Sequence, residues 1–238
     1  MFNIMGSLCL LFMLLILFII LGLNNATHTN KPIIPIVLNS NIIENNSFYK
    51  GNQAEKALIS SLKDYGIDSK AIFHNLYVRK SNGKYAQIDV AVLTNRGIIV
   101  FEVKNYSGWI YGSENQTYWT QVLAYGRKKY KLYNPLMQNA GHIRALRQNL
   151  PQNPDIPIYS VVVFYESSEL KNISYSHSNV YLIYSNSVCN VLQSIKKKPL
   201  IKNFNKEEVL SVLNEASENS KNPLVLASHA YLVRKLSK

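Results

Sequence analysis

Two apolar runs separated by a short polar break dominate the middle of the chain. Residues 87–104 read QIDVAVLTNRGIIVFEVK, with Val and Ile abundant on both sides of a Thr-Asn-Arg-Gly break. This pattern predicts a β-hairpin, and the nearly continuous apolar character of its strands predicts a sheet covered on both faces. Four polar residues interrupt the strands, namely Gln87, Asp89, Glu102 and Lys104.

The spacing of these polar residues predicts that they converge. Side chains alternate along a strand, so Gln87 and Asp89 share one face of the first strand. Glu102 and Lys104 share one face of the second strand in the same way. A two-residue turn at Asn95-Arg96 would place Asp89 across from Glu102, and two residues further along, Gln87 across from Lys104. The register depends on that turn, because arginine is unfavourable in a tight primed turn and a type I turn would add a bulge.

Two opposed carboxylates predict a metal site. Opposed residues on antiparallel strands hold their Cβ atoms roughly 4.5–5.5 Å apart, so Asp89 and Glu102 would repel unless a cation or a proton lay between them. Oxygen ligands suit Mg²⁺ or Mn²⁺, and the backbone carbonyl of Val103 offers a third oxygen. Lys104 would project beside the ion, where its ammonium group could orient an attacking water or neutralise charge developing on a phosphate.

A carboxylate also interrupts the apolar stripe of the helix predicted before the hairpin. Residues 51–65 have helical periodicity, in which Glu55 precedes Leu58, Ile59 and Leu62 at i+3, i+4 and i+7. A Glu on the buried side of a helix needs a partner, and the hairpin beside it could supply one. The alternative is that Glu55 complements the helix dipole near the amino end.

At these residues the chain resembles a known family. Asp89, followed after twelve residues by Glu102-Val103-Lys104, resembles the D…ExK core of the PD-(D/E)xK nucleases, and the wider sequence resembles their nuclease-related (NERD) domain. Five pieces occur in order, namely Gly51…Glu55, Gln87-Ile88-Asp89, Glu102–Asn105, Gly108, and Asn134–Gln138 as Asn-Pro-Leu-x-Gln. Such a series is more specific than a lone ExK. The chain departs from the family at Ala54, where the family usually has Gly.

The resemblance covers roughly residues 48–150 and implies an α/β fold of the restriction-endonuclease type, with a mixed central sheet flanked by helices. It also implies a Mg²⁺-dependent (or Mn²⁺-dependent) nuclease site. Asp89 and Glu102 would hold the metal, Lys104 would act on water, and Glu55 and Gln87 would assist. The resemblance further implies that Gln138 faces this site.

The amino terminus predicts a membrane anchor. Residues 1–30 contain no Asp, Glu, Lys or Arg, and Ile4–Leu23 is an uncharged apolar stretch. About 20 such residues span a hydrocarbon core of about 30 Å. We predict an anchor over residues 1–24 and a linker over residues 25–47. A cleaved signal peptide with secretion is the alternative, but the stretch lacks a basic n-region and exceeds the usual apolar length.

The first cations after the stretch, Lys31 and Lys50, belong to a strongly basic domain, which predicts a single-pass protein of the cell membrane with its carboxyl-terminal domain in the cytoplasm. The two cysteines, Cys9 and Cys189, lie far apart in the sequence, so no disulfide framework is expected.

The carboxyl-terminal half predicts further sheet and helix. Asn134-Pro135 is a helix start, and the helix should run to about Leu150. Residues 157–165 and 180–184 read as buried strands, so strand, helix and strand predict a parallel crossover that completes the sheet. We place the nuclease-like domain at residues 48–185 and a helical extension, with helices near 187–197, 206–217 and 222–237, at residues 186–238. His142, Arg144 and Arg147 are predicted to meet solvent or phosphate.

A segment of alternating basic and aromatic residues follows the hairpin. Residues 124–134 read AYGRKKYKLYN. Cations neutralise phosphates and aromatic rings stack on exposed bases, so nucleic-acid contacts are predicted at Arg127, Lys128, Lys129, Tyr130, Lys131 and, from the resemblance, Gln138. The alternative of equal weight is a solvated strand edge guarded by lysines.

These observations predict a membrane-anchored, metal-dependent phosphodiester hydrolase that acts on nucleic acid. The net charge of +12 fits an anionic polymer. DNA is the substrate we expect, although charge alone does not distinguish DNA from RNA. No nucleotide cofactor is expected, and the sequence does not determine the oligomeric state. The alternatives are an inactive membrane tether that binds nucleic acid and a scaffold that binds a protein through its helical tail.

Overall fold

Nine strands form two mixed sheets in the part of the chain that the computed structural model describes, residues 52–165 and 167–236. In spatial order the first sheet contains β1 (Ile72–Arg79), β2 (Tyr85–Thr94), β3 (Gly97–Lys104), β7 (Ile158–Phe164) and β9 (Val180–Tyr184). The second contains β6 (Lys128–Tyr133), β5 (Tyr118–Leu123), β4 (Ser107–Ser113) and β8 (Ser167–Ser174). The helices are α1 (residues 52–64), α2 (Pro135–Gln148), α3 (Val188–Lys196), α4 (Lys206–Asn219) and α5 (Pro223–Leu236).

The predicted anchor over residues 1–24 and the linker over residues 25–47 lie outside the described residues. Within the described ranges, no helix has the length and apolar character needed to cross a bilayer. The division of the chain at residues 47 and 185 stays a prediction.

The central hairpin forms in the register that the sequence predicts. Strands β2 and β3 pair antiparallel from Thr94↔Gly97 to Val90↔Phe101. The turn therefore consists of the two residues Asn95-Arg96, as predicted. This register brings Asp89 to the end of the paired region, next to the strand that carries Glu102.

Contacts within and outside the hairpin stabilise this turn despite its unfavourable arginine. The Nε of Arg96 donates to the carbonyl oxygen of Lys198 at 3.0 Å, and its backbone N–H donates to Oγ1 of Thr94 at 3.0 Å. Gly97 has a φ of +133°, and a Cβ there would lie 2.2 Å from the carbonyl oxygen of Pro157. Only glycine fits such a position, so the close approach of the next strand fixes where the turn ends.

Strand β7 lies parallel between β3 and β9, which confirms the predicted crossover. The connection from β3 to β7 passes through β4, β5 and β6 and ends with helix α2. This helix begins with Asn134 as N-cap and Pro135 at the first position, as predicted. A parallel strand in the centre of a sheet is buried on both faces, and every residue of β7 is buried.

Helices cover both faces of the first sheet. One face packs against α2 and α4 through Ala145, Leu146, Val209, Leu213 and Ala216. The other face packs against α1 and α3 through Ala54, Leu58, Leu62, Val188, Val191, Leu192 and Ile195. The prediction of a sheet covered on both faces is confirmed. Helix α4, which we assigned to a carboxyl-terminal extension, contributes to the same core as the nuclease-like strands.

The second sheet is a separate layer, so the expectation of one central sheet is incomplete. Its inner face places Ile110 and Trp119 in a cluster with Val162 and Phe164 of the first sheet. Trp119 lies directly on Gly112, where a Cβ would come within 2.3 Å of the indole ring. The small residue at position 112 therefore allows this layer to close on the first sheet.

Candidate active site

The first site residue, Asp89, is held by the strand opposite. Its Oδ2 accepts a hydrogen bond of 2.8 Å from the backbone N–H of Val103. Backbone pairing of β2 with β3 ends at Val90↔Phe101, and beyond it the Asp89 side chain accepts from the N–H of β3. Sequence reasoning assigned the carbonyl of Val103 to the metal, whereas the contact seen here is made by its amide.

Glu102 and Lys104 form a buried ion pair on β3. The Nζ of Lys104 lies 2.5 Å from Oε1 of Glu102, and Glu102 is only 1% exposed. The same ammonium donates a hydrogen bond of 3.0 Å to Oε1 of Gln138 in the first turns of α2. The structure thus brings Gln138 to Lys104, as the family resemblance implied.

Buried asparagines hold α2 in place over the sheet. Asn134, which is fully buried, accepts from the backbone N–H groups of Leu136 and Met137 as the helix N-cap. Asn139 is also fully buried, and its Nδ2 donates to the carbonyl oxygen of Val100 at 3.0 Å. These contacts fix both the start and the rotation of the helix that carries Gln138.

His142 belongs to the site, which corrects the prediction that it meets solvent or phosphate. Its Nδ1 lies 3.2 Å from Oε2 of Glu102, and its side chain is 12% exposed. Neither atom makes a well-aligned hydrogen bond within the described residues, so the pair is a close polar contact. A signal was available, because His142 follows Gln138 by four residues and such pairs share one helix face.

The two arginines of that prediction lie in different surroundings. Arg144 is exposed. Arg147 donates to the carbonyl oxygens of Pro154 and Ile156, so it supports the chain after α2.

The carboxyl groups of Glu55 and Asp89 are electrostatically coupled to the ion pair. Burial raises the pKa of Glu55, the negative charge of Glu102 raises it further, and Lys104 opposes them. Burial raises the pKa of Asp89 well above its usual range, with Glu102 adding to the effect and Lys104 opposing it. Because such effects require proximity, α1, β2 and β3 bring these charges to one place.

The ion pair itself stays charged. Burial by itself would raise the pKa of Glu102, but Lys104 and then His142 outweigh it, so the pKa lies below its ordinary value. Burial would lower the pKa of Lys104, but Glu102, followed by Tyr106, raises it above its ordinary value. The Lys104 ammonium also lies 5.9 Å from the ring centroid of Tyr106. The site therefore combines a fixed ammonium and carboxylate with two carboxyl groups that favour protons.

Gln87 contacts the neighbouring strand β1. Its Nε2 donates to Oδ1 of Asn75 at 3.1 Å, and its pairing partner is Tyr77. The β2–β3 ladder does not extend as far as Gln87, so strand pairing does not hold Gln87 against Lys104.

Sequence reasoning missed two residues of β1 beside the site. Burial and then the charges of Glu55 and Asp89 raise the pKa of Tyr77, so its hydroxyl group lies near both carboxyl groups. Asn75 has a φ of +52°, a left-handed conformation that asparagine tolerates better than most residues. Asn75 interrupts the apolar pattern of its strand, but the pattern does not connect it to the site, and Tyr77 fits an ordinary strand position.

The donor set fits a hard divalent cation held by few protein ligands. Oε2 of Glu102 is a buried carboxylate oxygen that makes no hydrogen bond within the described residues. Asp89 supplies a second carboxylate that burial and neighbouring charge make costly to ionise alone. No group of three or more His, Cys, Asp or Glu arranged to hold a metal occurs in the described ranges. Mg²⁺ commonly uses one or two carboxylates with water and substrate phosphate, so the chemistry of this pair is compatible with such an ion.

The predicted nucleic-acid segment lies on the second sheet, outside the charged cluster. It covers the 3₁₀ turn Ala124–Gly126 and the edge strand β6, and its basic and aromatic members are exposed: Arg127, Lys128, Lys129, Tyr130 and Lys131. At the tip, Tyr125 is 96% exposed. Of the residues predicted to bind nucleic acid, Gln138 is the one that reaches the ion pair.

Comparison with known proteins identifies the family. The sequence profile of the nuclease-related domain (NERD) matches residues 50–165. An uncharacterized protein of Bacillus anthracis is 33% identical over 159 residues, which make up 67% of this chain and 73% of the relative. No solved structure is a significant match. The chain therefore belongs to the nuclease-related domain family.

Proposed function

We propose that this protein is a metal-dependent phosphodiester hydrolase that acts on nucleic acid, with DNA as the expected substrate. Membership of the nuclease-related family supports a nuclease-related role. The observation that carries the proposal is the convergence of Asp89, Glu102 and Lys104, since mere binding of nucleic acid has no need for buried carboxylates beside a phosphate.

The carboxylates of Asp89 and Glu102 would hold Mg²⁺ or Mn²⁺, with the backbone carbonyl of Val103 as a third oxygen. When bound, such an ion lowers the pKa of a water molecule and stabilises negative charge on a phosphoryl group. Asp89 would then be ionised, although burial and Glu102 oppose this in the metal-free protein. The chain thus supplies a site in which cation binding relieves a carboxylate repulsion.

Lys104 would position the attacking water and stabilise charge on the phosphate. Its ammonium is fixed between Glu102 and Gln138, at 2.5 Å and 3.0 Å. A preorganised cation acts on a transition state without reorganising, which makes it effective in a buried site. Gln138 and Glu102 would set the direction of this ammonium.

The remaining predicted residues would assist from α1 and β2. Burial, followed by the charge of Glu102, raises the pKa of Glu55, which makes this carboxyl group a better proton acceptor than an exposed one. Gln87 would act through Asn75, which it contacts at 3.1 Å, by keeping β1 and β2 in place beside Asp89.

We also propose the restriction-endonuclease type for the first sheet, and a membrane anchor in residues 1–24 that leaves the domain in the cytoplasm.

The test is a cleavage assay with the full-length chain purified in mild detergent. Labelled duplex DNA, single-stranded DNA and RNA are incubated with Mg²⁺, Mn²⁺ or EDTA. We expect cleavage that needs the metal, is lost in Glu102→Gln and Lys104→Met, and is unchanged in Glu218→Gln. Glu218 is a suitable control because it is an exposed carboxylate that pairs with exposed Lys221. Absence of cleavage in every metal, with nucleic-acid affinity intact, would favour the inactive tether.

A further inference from the structure

The second sheet carries aromatic and basic side chains on the face turned away from the core. Strand pairing aligns Trp109 with Val122 and Lys129, and aligns Tyr111 with Thr120, Lys131 and Lys171. Tyr118 and Tyr133 pair directly with each other in a further row. We call this the outer face, defined by the aromatic residues Trp109, Tyr111, Tyr118 and Tyr133 and the basic residues Lys129, Lys131 and Lys171.

Side-chain alternation separates the outer face from the core. Ile110 and Trp119 point inward and are buried against Phe164. Their neighbours along the strands therefore point the other way. Tyr118 and Tyr133 are 56% and 48% exposed, as expected for such a face.

The outer face places partly exposed rings next to cations. Trp109 and Tyr111 are two residues apart on β4, which separates their Cα atoms by about 6.5 Å. The Nζ of Lys171 lies 5.9 Å from the ring centroid of Trp109, and it also pairs with Glu169 of the same face. Three lysines against one glutamate leave this face with a net positive charge.

We propose that the outer face binds single-stranded nucleic acid, with unpaired bases stacked on Trp109 and Tyr111 and phosphates near Lys129 and Lys131. This inference rests on the proposed nuclease function and names its substrate class. Base faces are covered in a duplex, so aromatic side chains on an open sheet stack only on unpaired bases. A four-stranded sheet with exposed aromatics is a general solution for binding two or three bases.

The outer face is close enough to the charged site for one strand to reach both. Strand β4 begins at Ser107, three residues after Lys104. Trp109 follows Lys104 by five positions, so their Cα atoms lie at most about 18 Å apart. A nucleic-acid strand bound on the outer face would therefore need only a few nucleotides to reach the Glu102–Lys104 ion pair.

An anionic membrane is the competing ligand, since lysines and aromatic residues also occur at lipid surfaces. Insertion into lipid requires an apolar surface that enters the bilayer by about 5–10 Å. On the outer face Trp109 and Tyr111 are only partly exposed. Charged residues flank them, with Glu169 and Lys171 opposite on β8 and Lys129 and Lys131 on β6. This arrangement favours a ligand that alternates rings and charges, as a nucleic-acid strand does.

The test measures binding without cleavage. The full-length chain in detergent is titrated into fluorescent oligothymidine, oligouridine and a blunt duplex, in EDTA, with fluorescence anisotropy as the readout. We expect tighter binding of the single strands than of the duplex. Trp109→Leu and Tyr111→Leu should each weaken single-strand binding by about tenfold, because each removes one stacking surface.

Two tryptophans in the chain give a second readout. Trp119 is buried, so only Trp109 should be quenched when a base stacks on the outer face. Trp109→Phe should keep the affinity and lose the quenching, whereas Trp109→Leu should lose both. Tyr231→Leu is the matched control, because Tyr231 is 67% exposed on α5 and should leave binding unchanged.

Several outcomes would overturn the proposal. One is unchanged affinity for single strands in a folded Trp109→Leu variant. A second is an equal loss of affinity for duplex and for single strands in that variant. A third is that the variant loses binding to phosphatidylserine vesicles but keeps binding to oligonucleotides. Circular dichroism shows whether each variant folds, and the Trp109→Phe quenching result stands even if Trp109→Leu does not fold. Cleavage of duplex with no role for the outer face would remove this inference and leave the proposed function. Single-strand binding without cleavage in any metal would leave this inference and remove the proposed function.

Discussion

The two sheets of this protein hold their charges in opposite ways. The first sheet is covered on both faces by helices, and it contains a carboxylate that is 1% exposed, Glu102. The second sheet has one face on the core and an outer face with lysines in solvent. Glu102–Lys104 in the first sheet and Glu169–Lys171 in the second are both ion pairs two residues apart on one strand.

This difference in burial determines what each pair can do. Buried charges interact strongly, shift one another's pKa and depend on their partners for stability. Exposed charges are screened by water and salt, so they contribute little to folding and are available to pair with a ligand that comes close. This difference agrees with the proposals that the first sheet carries the catalytic site and the second binds the substrate.

The largest expected effect comes from breaking the buried pair. Glu102→Leu would leave the Lys104 ammonium buried without its carboxylate, and we expect a loss of about 3–5 kcal/mol in the free energy of unfolding. The double variant Glu102→Leu/Lys104→Met should recover much of this loss, because it removes both charges. Glu169→Leu, the matched exposed pair, should cost less than about 1 kcal/mol. Urea denaturation measures all three, and equal costs for Glu102→Leu and Glu169→Leu would contradict the comparison.

A smaller effect is expected at the left-handed residues of the two sheets. Asn75 of β1 and Asn172 of β8 have φ values of +52° and +50°. A β-branched residue is strained there, so Asn75→Val should cost about 2 kcal/mol, with loss of the contact to Gln87 included. Asn172→Val, on an exposed strand, should cost about 1 kcal/mol. Asn75→Gly should retain most of the stability in urea denaturation, and a Val variant as stable as wild type would show that the strain is absent.

The third prediction concerns pH and metal. The folded-state pKa of Asp89 is raised, so its contribution to stability is present below its unfolded value and is lost as pH rises through the folded value. In EDTA, thermal stability should therefore fall with rising pH in the range above about pH 4. Glu102 acts in the opposite sense, and its contribution is lost as pH falls through its lowered folded value.

Mg²⁺ should offset the loss of stability at higher pH, since it binds the ionised form of Asp89. The rise in melting temperature caused by Mg²⁺ should be greater at about pH 8 than at about pH 5.5. Asp89→Asn should abolish this difference, while Asp155→Asn, an exposed aspartate, should preserve it. A Mg²⁺ effect that is the same at both pH values would argue against Asp89 as a ligand.

The smallest effect on folding is expected on the outer face. Lys129→Gln and Lys131→Gln should leave the melting temperature unchanged. Each should lower the slope of log affinity against log salt by about 0.7 for single-stranded nucleic acid. Lys202→Gln, an exposed lysine between α3 and α4, is the control. Slopes that match wild type in both variants would show that these lysines do not contact phosphate.

Much of the fold was predictable from local pattern. The hairpin with its turn and the capped start of α2 each depend on features within a short stretch of sequence, and the structure contains both. The order of strand, helix and strand predicted the parallel crossover, which is also present. The expected approach of Asp89 to the strand of Glu102 followed from alternation and register alone. The contact of Gln138 with Lys104 came from the family resemblance and from no local pattern.

Other features depend on contacts between distant segments. The contact between His142 and Glu102 joins a helix to a strand, and helical spacing shows only that His142 shares a face with Gln138. The separation of the second sheet depends on how Trp119 packs over Gly112 and onto the first sheet. Nothing in the strand pattern of β4 and β5 distinguishes a second layer from a longer central sheet.

The sequence by itself determined which residues form strands and helices, and therefore which side chains could share a face, because backbone geometry repeats over a few residues. Only the tertiary structure decided which faces meet and how deeply each charge is buried. Burial is a property of the whole fold, and it makes Glu102 and Lys104 a tightly coupled pair while Glu169 and Lys171 remain screened by solvent.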